Sequence, residues 1–245
     1  MLTSVKNDKV KALKKLHTRK EREKTATFFI EGFHLIEEAV NSNWTIKEII
    51  LQDGVYLPKW ADDFKIVEVS ENVFQHITQT KTPQGIGAVV NLSKVTKFDG
   101  NHVLLLDRIQ DPGNLGTIIR TADAAGFDAV ILGEGTVDVY NDKVIRSTQG
   151  SIFHIPVIRD NLIERIQNLK KEGFSIWASA LTNSKDFHTV KTNDKVALIV
   201  GNEGSGIQHD LLDLADELVK IPIYGKAESL NVSIAAGILM YHIKG

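Results

Sequence analysis

Apolar and polar positions follow two different rhythms along this chain, and the change of rhythm divides it. Over residues 5 to 24, Val10, Leu13, Leu16 and His17 recur near one face at the helical period, with Lys or Arg on most others; this predicts a single amphipathic helix. Shorter alternations follow. TFFIEG and KEIILQ read as strands around a helix at FHLIEEAVNS; KIVEVS, a helix at ENVFQHIT and the strand GIGAVVNL then complete a small α/β unit ending near residue 92. The polar stretch SKVTKFDGN, residues 93 to 101, separates it from HVLLLDRI, a continuous apolar run of the kind carried by a strand buried on both faces. Strands expected at 103–109, 129–133, 154–158, 175–180, 196–200 and 218–223 alternate with helices beginning near 114, 142, 161, 207 and 231. That alternation predicts a mostly parallel sheet covered by helices. The expected organisation is a small domain over 1–92, a linker over 93–101 and an α/β domain over 102–245.

Composition narrows the chemistry. With 245 residues, 42% of them apolar, the chain can bury the cores of two domains. It has no cysteine, which removes disulfides, thiolate metal sites and cysteine nucleophiles and fits a reducing compartment. Neither a signal peptide nor a run of about 18 apolar residues is visible, so a cytoplasmic protein with no membrane contact is expected. Eight histidines are present but without HExxH or a similar ligand spacing, and no metal site is expected. The net charge of −2 conceals an asymmetry: residues 1 to 24 hold nine Lys or Arg against Asp8, Glu21 and Glu23. A run of this kind is either a solvated helix face or a footprint for nucleic-acid phosphates.

In an open parallel sheet, ligands bind beyond the carboxyl ends of the strands, and three loops in such positions carry polar chemistry. In the first, residues 107–127, Pro112 and Gly113 break the chain and Asn114 is placed to cap a helix bearing Arg120 six positions on. The second, GNEGSG over 201–206, supplies glycines that let backbone amides approach a ligand, together with Asn202 and Glu203. It matches neither the dinucleotide fingerprint nor the triphosphate-binding loop. The third, over 221–241, carries Glu228, Ser229 and Asn231 into an apolar C-terminal helix that Ser229 or Asn231 could cap. Taken singly, each admits a purely structural role as a turn or cap.

Together the three segments, NLGTIIRTADAAGF, VGNEGSGI and IPIYGKAESLNVSIAAGI, resemble the three motifs of the SpoU/TrmH branch of the SPOUT methyltransferases, in order and spacing. The resemblance implies an α/β trefoil-knot domain with a parallel sheet that binds S-adenosylmethionine. Its cofactor contacts would fall on Gly201, Asn202, Glu203, Gly204, Ile221, Leu230 and Asn231. It also implies a homodimer and an RNA substrate, with methyl transfer to a ribose 2'-hydroxyl. Residues 1–92, through GFHLIEEAV and TPQGIGAVV, resemble the substrate-binding domain of this branch, of the L30e/L7Ae type; this favours ribosomal RNA and turns the basic run into RNA-contacting surface. Asn114, Arg120, Glu203, Ser229 and Asn231 are the implied catalytic residues.

The family assigns an essential role to the arginine at Arg120. A guanidinium with a pKa above ~12 does not readily act as a base, so an electrostatic grip on phosphate and on the developing oxyanion is the easier role. Glu203 could orient Arg120 or take the proton itself. Transfer RNA as substrate, and a non-catalytic RNA-binding or ribosome-assembly protein on the same scaffold, are the competing readings.

Overall fold

The computed structural model describes residues 1–42 and 44–245, which fold into two compact units. One comprises Met1–Lys94 with Tyr140–Phe153, the other Val95–Val139 with His154–Gly245. The expected α/β stretch 102–245 is therefore interrupted: the chain leaves the second unit after Val139, adds a segment to the first, and returns at His154.

The basic run opens the first unit as two helices, not the single one its periodicity predicts. Helix α1 (Asp8–Lys15) is capped by Asn7, whose side chain accepts from the Lys9 amide at 2.9 Å. Helix α2 (Arg19–Thr25) begins after Thr18, whose extended backbone breaks the helix. The apolar spacing ends at Leu16, and the only buried residue of α2 is Arg22, which donates to the Leu16 carbonyl at 2.8 Å and folds back over the break. Strand β1 (Thr27–Glu31), helix α3 (Phe33–Val40), strands β2 (Ile46–Gln52) and β3 (Ile66–Val69), helix α4 (Glu71–Ile77) and strand β4 (Ile86–Asn91) follow. Their sheet has the order β1-β4-β2-β3, antiparallel except for the β2–β3 pair. Val10, Leu13 and Leu16 of the basic run are buried with Phe29, Ile50, Val73, Phe74 and Ile77, so that run is anchored by its apolar stripe while its lysines stay outside.

In the second unit, strand β5 (His102–Leu106), helix α5 (Pro112–Ala124) and strand β6 (Ala129–Leu132) precede the excursion, which carries helix α6 (Asp142–Thr148). After it come strand β7 (Val157–Arg159), helix α7 (Leu162–Lys171), strands β8 (Ser175–Ser179), β9 (Lys185–Asp186) and β10 (Val196–Val200), helix α8 (His209–Leu212), strand β11 (Glu217–Lys220) and helix α9 (Val232–Lys244). All pairings in the sheet β7-β6-β5-β10-β8-β11-β9 are parallel. The short edge strand β9 has no period to announce it, and residues 221–223, expected to extend the last strand, lie outside β11.

Strand order reverses between β5 and β10. From β5 the chain steps outward to β6 and β7, then crosses to the other side, so the loops leaving the neighbouring strands β5 and β10 meet at the sheet's centre, at the point where strand order reverses. Segment 221–231 brings the chain back from β11 to lay α9 against α5, with Ala236 buried. No helix among the described residues is long and apolar enough to cross a membrane.

Excision of the buried Leu13 side chain leaves a cavity under the basic run. We expect Leu13→Ala to cost about 2–5 kcal/mol in denaturant unfolding; a change below about 0.5 kcal/mol would show that α1 is only loosely docked.

Candidate active site

The meeting point of the loops leaving β5 and β10 is built on a buried carboxylate. Asp107, at the end of β5, is about 1% exposed and accepts from the Gln208 amide at 2.8 Å and its side-chain Nε2 at 2.7 Å, tying the loop after β5 to the loop after β10. Arg108, next in the chain, has a left-handed backbone (φ 55°), which a side-chain-bearing residue adopts only under local constraint. That turn presents the Arg108 carbonyl to Asn202 Nδ2 at 2.9 Å. Asn202 Oδ1 in turn accepts from the amides of Gly204 and Ser205, both at 2.9 Å, and the Asn202 and Gly206 backbones pair. The loop closes so tightly that a Cβ on Gly201 would sit 2.4 Å from backbone atoms of Gly206 and Ile207; only glycine fits.

Helix α5 starts differently from the sequence expectation. Asp111, not Asn114, is the N-cap; its side chain accepts from the Asn114 amide at 2.8 Å, and Pro112 takes the first turn, where its missing N–H costs nothing. This frees the Asn114 side chain, which donates to Glu203 Oε1 at 3.0 Å and accepts from Asn231 Nδ2 at 3.1 Å. Asn231 also caps α9, its Oδ1 accepting from the Ser233 amide (2.9 Å) and hydroxyl (2.6 Å). One chain of hydrogen bonds, Asn231 to Asn114 to Glu203, thus joins the three separate loops.

Glu203 Oε1 and Oε2 also lie 3.3 and 3.4 Å from the Asp111 and Gln110 amides. Loss of hydration alone would raise its pKa, but these donors, Asn114 foremost, outweigh that and hold it below the ordinary carboxylate range. A carboxylate so stabilised is ionised and a poor proton acceptor. Its hydrogen bonds come from the Asn114 and Asn202 side chains and from backbone, and none reaches Arg120 among the described residues. Arg120 itself is exposed on α5 with no partner among the described residues, Ser229 and Leu230 lie exposed in the irregular segment before α9, and Ile221 is half-buried just after β11. Sequence reasoning missed Gln208 and the anchoring role of Asp107, although an Asp ending the apolar run HVLLLD was a legible signal of a buried, partnered carboxylate.

Residues 101–241 match the SpoU rRNA Methylase family. The chain belongs to that family. Residues 7–88 match the MRM3-like substrate binding domain, as the N-terminal resemblance expected. Among curated relatives, the 23S rRNA (guanosine(2553)-2'-O)-methyltransferase RlmP of Bacillus subtilis is 49% identical over 100% of this chain and 99% of its own. Among solved structures, an AdoMet-bound rRNA methyltransferase from Sinorhizobium meliloti is 34% identical with a TM-score of 0.89, covering 99% of this chain and 96% of that one. The SpoU methyltransferase AviRb from Streptomyces viridochromogenes, in complex with AdoMet, is 25% identical with a TM-score of 0.87, covering 98% and 97%. The SPOUT α/β fold expected from the motifs is the fold of this chain, and S-adenosylmethionine is the cofactor of its family. The glycine at 201 is required by the loop's own closure, since the space a side chain would take is filled by the Gly206 and Ile207 backbone.

The depressed Glu203 sets a sign for pH. Its ionised form is favoured in the fold, so its stabilisation is full above pH 4.5, the ordinary carboxylate value, and is lost as pH falls through its lower folded value. Thermal unfolding followed from pH 7 to pH 3 should fall more steeply for the native chain than for Glu203→Gln; parallel curves would mean that the network contributes nothing to stability.

Proposed function

We propose that this protein transfers the methyl group of S-adenosylmethionine to a ribose 2'-hydroxyl of 23S ribosomal RNA. The observation that carries the reading is the junction of Asn231, Asn114 and Glu203 at the sheet's switch point, in a chain 49% identical along its whole length to a 23S rRNA 2'-O-methyltransferase. A non-catalytic relative would be free to lose these residues, and here they are present and mutually hydrogen-bonded. Relatives described as acting on rRNA align over both units, which favours ribosomal RNA over transfer RNA.

When bound, the cofactor supplies an electrophilic methyl carbon on a sulfonium. The chain's own task is alignment, because an in-line displacement is accelerated chiefly by holding the acceptor oxygen in line. The glycine-bearing loop 201–206 and the segment around Ile221, Leu230 and Asn231 are the cofactor-holding walls. Glu203 and Asn114 are positioning residues that fix the meeting point of the loops. Arg120, exposed and uncommitted, holds the phosphate beside the target ribose and stabilises negative charge growing on the 2'-oxygen, while phosphate or water takes the proton. Ser229 stands beside the same segment as a hydroxyl available to the ribose.

The reading extends to assembly. Ile234, Ile238 and Tyr241 are 54%, 38% and 56% exposed and recur at i, i+4 and i+7 along α9, opposite its buried face of Ala236, Leu239, Met240 and Ile243. A second copy of the chain covers this stripe, and the cytoplasm is its compartment.

Arg120→Ala should lower methyl transfer to ribosomal RNA at least ~100-fold while S-adenosylmethionine binding, measured by calorimetry, is retained; equal loss of both would remove the assigned role. Product digestion should place the label in an alkali-resistant dinucleotide. Introduction of charge by Ile238→Glu should convert a dimer to a monomer in light scattering, and an unchanged mass would place the assembly surface elsewhere.

A further inference from the structure

The first unit contains a cavity, bordered by both charged and apolar groups, that the methyl-transfer site does not use. It measures about 200 Å³, below the ~300–1,000 Å³ of sites for drug-sized ligands, and so suits a group about the size of a single base. Its walls come from three places: Glu31, Gly32 and His34 at the start of α3, the segment bearing Thr80 and Gln84, and Arg146 near the end of α6. The first two are locked together. Gly32 has φ +99°, and its missing Cβ leaves room for Gln84 Oε1, which accepts from the Phe33 amide at 3.0 Å.

Two groups in this cavity are incompletely used. The Glu31 carboxylate is half-buried and accepts one hydrogen bond among the described residues, from the Thr80 hydroxyl. Burial, opposed by Thr80, by Arg146 and by His17 and aided by Asp142, holds it above the ordinary carboxylate range, the mark of an anion short of donors. Arg146 is half-buried as well, and its guanidinium has neither a hydrogen bond nor an ion pair among the described residues. An acceptor pair and a five-donor fork therefore line one small cavity without satisfying each other.

We propose that this cavity holds the base of an unpaired guanosine of the RNA substrate, Glu31 accepting its N1–H and N2–H while Arg146 donates to its O6 and N7. Guanine alone among the four bases offers two adjacent donors to a carboxylate and two adjacent acceptors to an arginine. Unpaired bases of single-stranded loops are also the usual targets of sequence-specific RNA recognition. The proposal rests on the reading of the first unit as the RNA-binding half and names what that half recognises.

The test uses the full chain and fluorescein-labelled octauridylate, bare or with one central guanosine, adenosine, cytidine, inosine or 7-deazaguanosine, in anisotropy titrations. A single guanosine should tighten binding about tenfold. Inosine, lacking the 2-amino group, and 7-deazaguanosine, lacking N7, should each lose most of that gain on the native chain, with no variant required. Glu31→Gln and Arg146→Met should abolish the preference while leaving octauridylate binding unchanged. Equal binding of all octamers, a preference for adenosine or cytidine, or a guanosine preference that survives both variants would overturn the assignment. Methyl transfer and cofactor binding are measured on the same preparation. Their absence with the guanosine preference intact defeats the catalytic reading and leaves the pocket standing, whereas failure to bind any octamer defeats the RNA-binding reading and the pocket with it.

Discussion

The pair formed by Asp107 and Gln208 is the constraint on which the junction of the polar loops depends. A carboxylate buried at the end of a central strand is costly unless its charge and lone pairs are met; Arg108 Nε pairs with it at 3.2 Å, and both donors of Gln208 reach it across the point where strand order reverses. That pair joins the loops after β5 and β10. The left-handed turn at Arg108, the Asn202 bracket and the reach of Glu203 to α5 add further ties between the same segments. The polar junction of Asn202, Glu203 and Asn114 thus stands next to a buried, fully partnered carboxylate.

Polar side chains at this site serve two ends at once. Asn231 caps α9 with its oxygen and reaches Asn114 with its amide, and Asn114 is free to reply because Asp111 took over the cap of α5. The choice between cap and site that the sequence poses at Asn231 is no choice in the structure. Asparagine suits both tasks because it carries a donor and an acceptor on one rigid plane.

Much of the second unit could be read from its pattern, because strands buried on both faces leave uninterrupted apolar runs and the helices between them keep clear caps. The three polar loops were equally legible, and their common location follows once a parallel sheet is granted. Elements whose formation depends on distant partners were not legible. The break between α1 and α2 rests on Arg22 folding back to the Leu16 carbonyl; β9 exists because β11 offers it an edge; and the cap of α5 moved to Asp111 although Asn114 has equal local merit. The cavity beside Glu31 was hidden for the same reason, since Arg146 stands 115 positions away in sequence.

Residues 140–153 belong to the first unit although the chain has already made β5, α5 and β6 before reaching them. Tyr140 lies against Phe28 with ring centroids 4.7 Å apart, Phe153 against Trp44 at 5.3 Å, and Asp142 accepts from His17 at 3.0 Å. The N-terminal unit is therefore not complete in its own 94 contiguous residues. A graft cut at the linker would carry Phe28 and Trp44 without the ring partners that Tyr140 and Phe153 supply, so an exchange of this unit between relatives has to take residues 140–153 with it.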